Sequence, residues 1–256
     1  MQTFQTSGRL GDIVYQLYTI KAMGGGDIII DLEHHKEPPE KWNWHMAESI
    51  MPLLSYQTYI DSIFMSLEPG GRPPWKYPDE PIYDFDMVDA ERAPMDPPSF
   101  PEWHGRNWPG NIHIAKRYAH HFGVAWKPGS IWLDAPKTKE VDIVIHAPHR
   151  RVTDYRSLAE AIQRLDMAGH GIAIIDIENE WPEEYRLQPK DMLEAADWIN
   201  SAKVFLGAVS SCHAIAEALG KPRLVQQAPD CDNVNSTHVL NGLNARQIVE
   251  LVERYL

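Results

Sequence analysis

The stretch SGRLGDIVYQLYTIKAMGGGDIIID, residues 7–31, decides the fold that we predict from the sequence. Gly8 and Gly11 permit a tight turn and a close approach of the backbone to a ligand. Aliphatic side chains then recur at helical spacing, at Ile13, Leu17 and Ile20. The glycines at 24–26 end this helix, and the apolar run at 28–30 is typical of a strand covered on both faces. A turn, helix and strand of this kind predict the start of a doubly wound α/β domain.

Asp12 follows the glycine turn, where the N-cap of the helix is expected. In one interpretation its carboxylate only caps the helix. In the other, Asp12 lies at the mouth of a cleft and acts as a general base that takes a proton from an acceptor hydroxyl. The turn by itself leaves both interpretations open.

The second half of the chain alternates short apolar runs with amphipathic segments. Apolar strands are predicted near 141–146, 172–177, 204–206 and 224–226, and helices lie between them. This alternation predicts parallel strands joined by right-handed crossovers. Residues 127–139, rich in Pro and Gly, are the predicted linker between the two halves. In the first half, the segment from Met46 to Leu67 is predicted to hold a helix that breaks near Pro52.

Composition limits the classes of function. The chain has 256 residues and a formal net charge of -12, which argues against a broad surface for nucleic acid. Cys212 and Cys231 form neither a disulfide framework nor a zinc motif. We find no signal peptide in the first residues and no apolar run long enough to cross a membrane. A cytoplasmic location is the expectation.

Polar residues follow the predicted strands of the second half, at the edge where parallel sheets bind ligands. Basic side chains follow the first strand, a carboxylate follows the second, and the segment GAVSSCH, 207–213, follows the third and leads into a helix N-terminus that attracts anions. Together they predict a site for a nucleoside diphosphate. Its candidate residues are His146, Arg150, Arg151, Glu178, Gly207, Ser210, Ser211 and His213; Asp176, Gln226 and Gln227 lie at the same edge without an assigned role.

Each of these residues also has a purely structural interpretation. Ser210 and Ser211 can be ordinary N-caps, the two arginines can be a solvated pair, and His146 can be a hydrogen-bonded core residue. The alternating pair Asp84 and Asp86 can hold a divalent metal under a sugar diphosphate, but a strand end produces the same string by chance. Loop tryptophans can stack on sugar rings or fill small local cores: Trp42, Trp44, Trp103 and Trp108.

Three segments of the chain resemble the heptosyltransferase-like glycosyltransferases of family nine. SGRLGDIVYQLYTIKAM resembles their opening turn and helix, and IVIHAPHRRVTDY resembles the strand and loop that open their donor-binding domain. INSAKVFLGAVSSCHAIAEALGKPRLV resembles the segment in which a small-residue turn, a His and a helix lead to Gly-Lys-Pro. The segments occur in the family's order and cover both halves of the chain.

The resemblance implies an α/β fold of the GT-B type, with two Rossmann-like domains facing across a cleft. Residues 1–133 would bind the acceptor and residues 140–256 the nucleotide-sugar, with the last helix possible on either domain. Asp12 takes the general-base position, beside an acceptor-side loop of Gly8, Arg9 and Gly11. Ser210, Ser211 and His213 would line the diphosphate pocket, and Glu178 takes the approximate place of the nucleoside-binding acid.

Two departures from the family pattern leave the identity of the sugar open. Ala208 stands where the family usually carries an Asp, and Arg150 with Arg151 replaces a lysine-containing phosphate loop. The function expected is an inverting glycosyltransferase that needs neither a metal ion nor another cofactor, with a nucleotide-sugar donor and a hydroxyl acceptor as partners. The alternatives are a nucleotide-sugar epimerase or hydrolase on the same fold, and a non-catalytic nucleotide- or glycan-binding protein.

Overall fold

The computed structural model of the chain describes residues 2–6, 10–31, 44–66, 82–85, 113–148, 151–176, 180–227 and 234–256. Their contacts divide the chain into two compact units, Met1–Pro128 and Gly129–Leu256, called unit 1 and unit 2 below. Each unit is a parallel sheet with helices packed on it, as the alternation of strand and helix patterns predicts.

Unit 1 is a parallel sheet with the strand order β3-β2-β1-β4. Its strands are β1 (Thr3–Thr6), β2 (Gly26–Asp31), β3 (Ile60–Ser66) and β4 (Ile82–Asp84). Its helices are α1 (Leu10–Ala22), α2 (Trp44–Ser55) and α3 (Ile114–His121).

Strand β1 lies inside the sheet of unit 1, yet its sequence, TFQT, shows little apolar character. Each of its residues is buried, and Phe4 stacks on Tyr83 of β4 with ring centroids 5.2 Å apart. The hydroxyl of Thr6 donates to the carbonyl of Ile29 on β2 at 3.2 Å. The sequence did not predict this strand, because polar side chains can be buried wherever the structure supplies hydrogen-bond partners.

Helix α1 begins at Leu10, so Asp12 lies within its first turn. The prediction that Asp12 stands at the N-cap position was therefore wrong, because the helix starts before it. Further along the helix, Tyr18 links α1 to the segment after α3. Its hydroxyl donates to the Ala125 carbonyl at 2.7 Å and accepts from the Lys127 N–H at 2.9 Å.

Helix α2 runs through Pro52 to Ser55, whereas the sequence predicted a break near the proline. The break was expected because proline cannot donate a hydrogen bond to the preceding turn. Ile50, Leu53 and Leu54 are fully buried, and this burial outweighs the lost bond.

Unit 2 is a parallel sheet with the strand order β10-β9-β8-β5-β6-β7. Its strands are β5 (Ile143–His146), β6 (Ile172–Ile175), β7 (Arg186–Leu187), β8 (Val204–Ala208), β9 (Arg223–Gln226) and β10 (His238–Val239). Its helices are α4 (Tyr155–Met167), α5 (Met192–Ser201), α6 (Ser211–Ala218) and α7 (Ala245–Glu253), with a 3-10 turn at Glu183–Tyr185.

One hydrophobic core in unit 2 joins the sheet to helices α4 and α7. Leu158 of α4 and Ile248 and Val252 of α7 are fully buried in it, beside Ile145 of β5. The last helix therefore packs within unit 2. The short strand β10 and the C-terminal residues are tied together by His238 and Tyr255, whose Nε2 and Oη atoms lie 2.8 Å apart.

The second part of the predicted linker runs along α5 and α6 of unit 2. The N–H groups of Trp132 and Leu133 donate to the Ala218 carbonyl at 3.1 and 3.3 Å. The amide of Asn200 donates to the carbonyls of Ala135 and Pro136 at 2.8 and 3.0 Å. From residue 132 onward this segment is thus an ordered part of unit 2.

Candidate functional site

The candidate site lies where β5, β8 and β9 end, at the carboxyl edge of the sheet in unit 2. In the register of the sheet, His146 of β5 is the partner of Gly207 on β8, and Ala208 is the partner of Gln226 on β9. Adjacent strands are about 4.8 Å apart, so the residues that end these strands are neighbours. The sheet therefore brings together residues that lie far apart in the sequence.

Gly207 allows β8 to lie close to β5 at this edge. A Cβ atom at this position would overlap the backbone carbonyl of His146. The structure thus gives the glycine a packing role in the floor of the site.

Ser210 is the N-cap of helix α6 and contacts the end of β5. Its hydroxyl accepts from the His213 N–H at 3.3 Å, which is the hydrogen bond of an N-cap. The same oxygen lies 2.8 Å from Nδ1 of His146. The N-cap interpretation of Ser210 is correct, and the contact with His146 adds a second role that the sequence did not reveal.

The start of α6 is also the part of the site best suited to an anion. The first N–H groups of a helix have no partner within the helix, and the helix dipole adds partial positive charge there. Ser211 is the first residue of α6. Arg151 adds a full charge nearby, because its Nη1 donates to the carbonyl of Val209 at 3.2 Å, one residue before Ser210.

Two other residues of α6 face inward. The His213 side chain is fully buried, with its ring centroid 6.3 Å from that of Phe205. Its predicted contact with a diphosphate stays a prediction. Burial raises the pKa of the Cys212 thiol to about 12, so this cysteine is an inert core residue at neutral pH.

Gln226 is a residue of the site whose role the sequence did not predict. Its side chain is fully buried at the end of β9. Its Oε1 accepts from the Asp154 N–H at 2.8 Å and from the Thr153 hydroxyl at 3.3 Å, and its Nε2 donates to the Asp154 carbonyl at 2.9 Å. A polar residue that ends a buried strand was the only signal available in the sequence.

Asp176, at the end of β6, is a structural residue. Its carboxylate is buried and accepts from the Trp181 N–H at 2.8 Å. The indole of Trp181 in turn donates to the Ala147 carbonyl at 3.3 Å, so this pair links the loop after β6 to the loop after β5.

In unit 1, Asp12 and Gly11 lie in the first turn of α1, which follows β1, and both are partly exposed. This places Asp12 at the carboxyl edge of the unit 1 sheet. Several predicted residues lie outside the described residues: Gly8, Arg9, Arg150, Glu178, Asp86, Trp42, Trp103 and Trp108. Trp44 is the first residue of α2 and so lies in a helix, where the sequence predicted a loop.

Within the part of the chain that the structure describes, no group of three or more His, Cys, Asp or Glu side chains is arranged to hold a metal ion. Across that same part, none of the helices combines the length and the apolar character needed to span a membrane.

The fold and this edge together define an α/β protein with two parallel-sheet units. No protein-family model and no curated protein matches the chain. Among solved structures it is similar to the E. coli heptosyltransferase WaaC with ADP, with a TM-score of 0.66 and 13% identity over 100% of both chains.

Two further structures support the same fold. The E. coli ADP-heptose lps heptosyltransferase II gives a TM-score of 0.61 at 11% identity, over 100% of this chain and 98% of that one. The glycosyl transferase family 9 protein from Veillonella parvula DSM 2008 gives 0.55 at 11% identity, over 99% and 89%. The predicted resemblance to the heptosyltransferase fold is therefore confirmed, and so is the predicted α/β class with two parallel-sheet units.

Proposed function

We propose that this protein is a glycosyltransferase that transfers a sugar from a nucleoside-diphosphate donor to an acceptor hydroxyl. The observation that carries the proposal is the match of the whole chain to the fold of heptosyltransferases. A site of suitable chemistry at the expected edge of unit 2 supports it. Fold alone does not establish function, so the proposal also rests on the named side chains.

In the proposed donor site, the diphosphate lies at the start of α6. The N–H groups of Ser211 and Cys212 and the guanidinium of Arg151 offset the negative charge, together with Arg150; the His213 N–H instead donates to Ser210. His146 and Ser210 complete the polar wall, and Glu178 binds the ribose hydroxyls. Charge placed in advance where the leaving group develops is usually the largest contribution to catalysis.

In the proposed reaction, Asp12 accepts the proton of the acceptor hydroxyl while the oxygen attacks the anomeric carbon. The bond from that carbon to the diphosphate oxygen breaks, and the nucleoside diphosphate leaves with the electron pair. A single displacement of this kind inverts the anomeric configuration. The positive groups at α6 would stabilise the leaving group without a divalent metal.

The N-terminal unit is proposed to bind the acceptor, in line with the position of Asp12 and the neighbouring residues Gly8, Arg9 and Gly11. The similar E. coli proteins WaaC and TibC have been solved with ADP or with ADP-heptose compounds. We therefore take adenine nucleotides as the first donors to test, while the sugar and the acceptor stay open.

The test is a donor-consumption assay on the full chain. ADP-, UDP-, GDP- and CDP-sugars are incubated with the protein and a panel of saccharide acceptors, and the released nucleoside diphosphate is measured. We expect release that depends on the acceptor, and an Asp12→Asn variant that loses turnover but still binds the donor. Release without an acceptor would favour a hydrolase, and binding without release would favour a non-catalytic protein.

Chelation tests the metal-independent part of the proposal. Activity should be unchanged when EDTA is added in excess. A loss of activity that Mg²⁺ or Mn²⁺ restores would instead support the interpretation of Asp84 and Asp86 as metal ligands.

A further inference from the structure

We infer that Gln226 is a positioning residue, which holds the loop carrying Arg151 in the geometry that binds the diphosphate. The inference rests on the proposed function, since it concerns the same donor site. Gln226 is not proposed to contact the donor itself. It acts through the backbone of the loop between β5 and α4.

The carboxamide of Gln226 contacts this loop at its C-terminal end. It makes hydrogen bonds of 2.8 and 2.9 Å with the N–H and the carbonyl of Asp154, and accepts a third from the Thr153 hydroxyl at 3.3 Å. A carboxamide is the side-chain group that can donate and accept at once to one backbone unit. The fully buried Gln226 therefore binds the loop much as a neighbouring strand would.

Arg151 makes two further hydrogen bonds in the described part of this loop. Its backbone N–H donates to the Pro148 carbonyl at 2.9 Å, and its guanidinium donates to the Val209 carbonyl at 3.2 Å. The guanidinium thus links the loop after β5 to Val209, the residue that precedes the N-cap of α6. Only one residue, Val152, separates Arg151 from the anchored Thr153.

Gln226 also stands in a suitable place for this role. It is the last residue of β9 and the sheet partner of Ala208, which directly precedes Val209. Gln226 is therefore paired with the end of β8, and β8 leads directly to Val209, whose carbonyl accepts the hydrogen bond from Arg151. A shift of the loop relative to α6 would require Gln226 to lose bonds in a buried site, which is costly.

A purely structural role for Gln226 predicts a different outcome. Asp154 is the N-cap of α4, since its carboxylate accepts from the Ser157 N–H at 3.0 Å. If Gln226 only supported this helix start, replacing it would lower stability and leave the affinity of the folded protein for a nucleoside diphosphate unchanged.

The experiment is a double-mutant cycle on ADP binding in the full chain, measured by isothermal titration calorimetry well below the melting temperature. UDP, GDP and CDP are titrated as well, and the tightest ligand of the wild type is used. Gln226→Met and Arg151→Met should each raise the Kd by about tenfold. The Kd of the double variant should lie within about threefold of the Kd of the weaker single variant, because both substitutions disrupt the same arrangement of the loop.

Asn200→Leu is the matched control. It removes a carboxamide that holds a different loop, through the carbonyls of Ala135 and Pro136. It should lower the melting temperature and leave the Kd within about twofold of the wild type, since sites without shared partners act independently.

A second variant covers the case in which Gln226→Met does not fold. Gln226→Glu keeps both acceptor contacts and loses the donor to Asp154 unless the acid is protonated. It should bind ADP more weakly than the wild type at pH 8, and the difference should shrink at pH 6, because burial favours the neutral acid.

The outcomes separate the two proposals. If the wild type binds a nucleoside diphosphate and Gln226→Met binds it equally well, or the two changes are additive, the inference is overturned and the proposed function stands. If the folded wild type binds none of the four ligands, the proposed function fails, and the inference fails with it.

Discussion

Nδ1 of His146 lies 2.8 Å from Oγ of Ser210, and this contact joins the end of β5 to the N-cap of α6. The two residues are 64 positions apart in the chain and meet because β5 and β8 are neighbours in the sheet. Through this contact the histidine supports the helix start that we propose as the diphosphate site.

Replacing His146 tests that support. His146→Phe should raise the Kd for the bound nucleoside diphosphate by about three- to tenfold, because a side-chain hydrogen bond contributes about 1 kcal/mol. Isothermal titration measures the effect. The control is His238→Phe, which breaks an imidazole–hydroxyl contact of the same 2.8 Å length with Tyr255. If His146→Phe bound the nucleoside diphosphate as tightly as the control His238→Phe, His146 would have no part in binding.

Ser210→Ala removes an N-cap as well as the contact with His146. We expect a loss of about 1 kcal/mol in the free energy of unfolding, measured by urea denaturation, together with weaker binding of the diphosphate. The control is Asn244→Ala, which removes the capping box of α7. It should cost similar stability without any effect on binding, and a matching loss of affinity there would contradict the assignment.

The sequence predicted the fold better than it predicted the site. The helix predicted between Asp12 and the glycines at 24–26 was recognisable because burial of one face leaves a periodic apolar pattern, and the apolar run at 28–30 was recognisable because a strand buried on both faces is apolar throughout. Strand β1 was missed because three of the four residues of TFQT are polar, so the sequence gives no sign that all four are buried. Helix α2 was predicted to break because the sequence shows the proline but not the burial of the apolar side chains around it, which stabilises the helix.

The site was only partly predictable for a related reason. A motif shows which polar residues end a strand, but the bonds between different strand ends are set by the sheet order. Gln226 illustrates this, since its partners Thr153 and Asp154 lie more than 70 residues away in the chain. His213 shows the opposite case, because the motif includes it while its side chain is fully buried.

Gly207→Ala tests the packing of the site floor. The added methyl would overlap the backbone carbonyl of His146, and we expect a loss of about 1–3 kcal/mol in the free energy of unfolding. The matched control is Gly171→Ala, where the nearest atom would lie 3.5 Å away, an ordinary van der Waals distance. Comparable stability of the two variants in urea denaturation would argue against the close approach of β5 and β8.

Asp142 should make stability depend on pH. Its hydrogen bond with Lys203, the largest cause, and a second from the Gly171 N–H hold the pKa of this carboxyl below its usual value of 3.8. A lowered folded-state pKa means that the stabilisation is complete at neutral pH. It is lost as the pH falls below about 5 and through the folded-state pKa.

Asp142→Asn should therefore reduce stability at pH 7 and flatten the dependence of stability on pH below about 5. Urea denaturation from pH 3 to 7 measures both effects. Glu250→Gln removes an exposed pair with Arg246 on α7 and serves as the control, since exposed pairs contribute little. If the stability of Asp142→Asn fell below about pH 5 as steeply as that of the wild type, Asp142 would not be the source of this pH dependence.

Binding of a nucleoside diphosphate is the most direct test of the central claim. The purified full chain is titrated with ADP, UDP, GDP and CDP, and its melting temperature is followed, since a ligand of the folded state raises it by mass action. We predict a clear rise with at least one of them, and a smaller rise for Arg151→Met at the same concentration. If none of the four ligands changes the melting temperature of the folded protein, the result would contradict a donor site at the start of α6. It would also contradict the proposed glycosyltransferase activity.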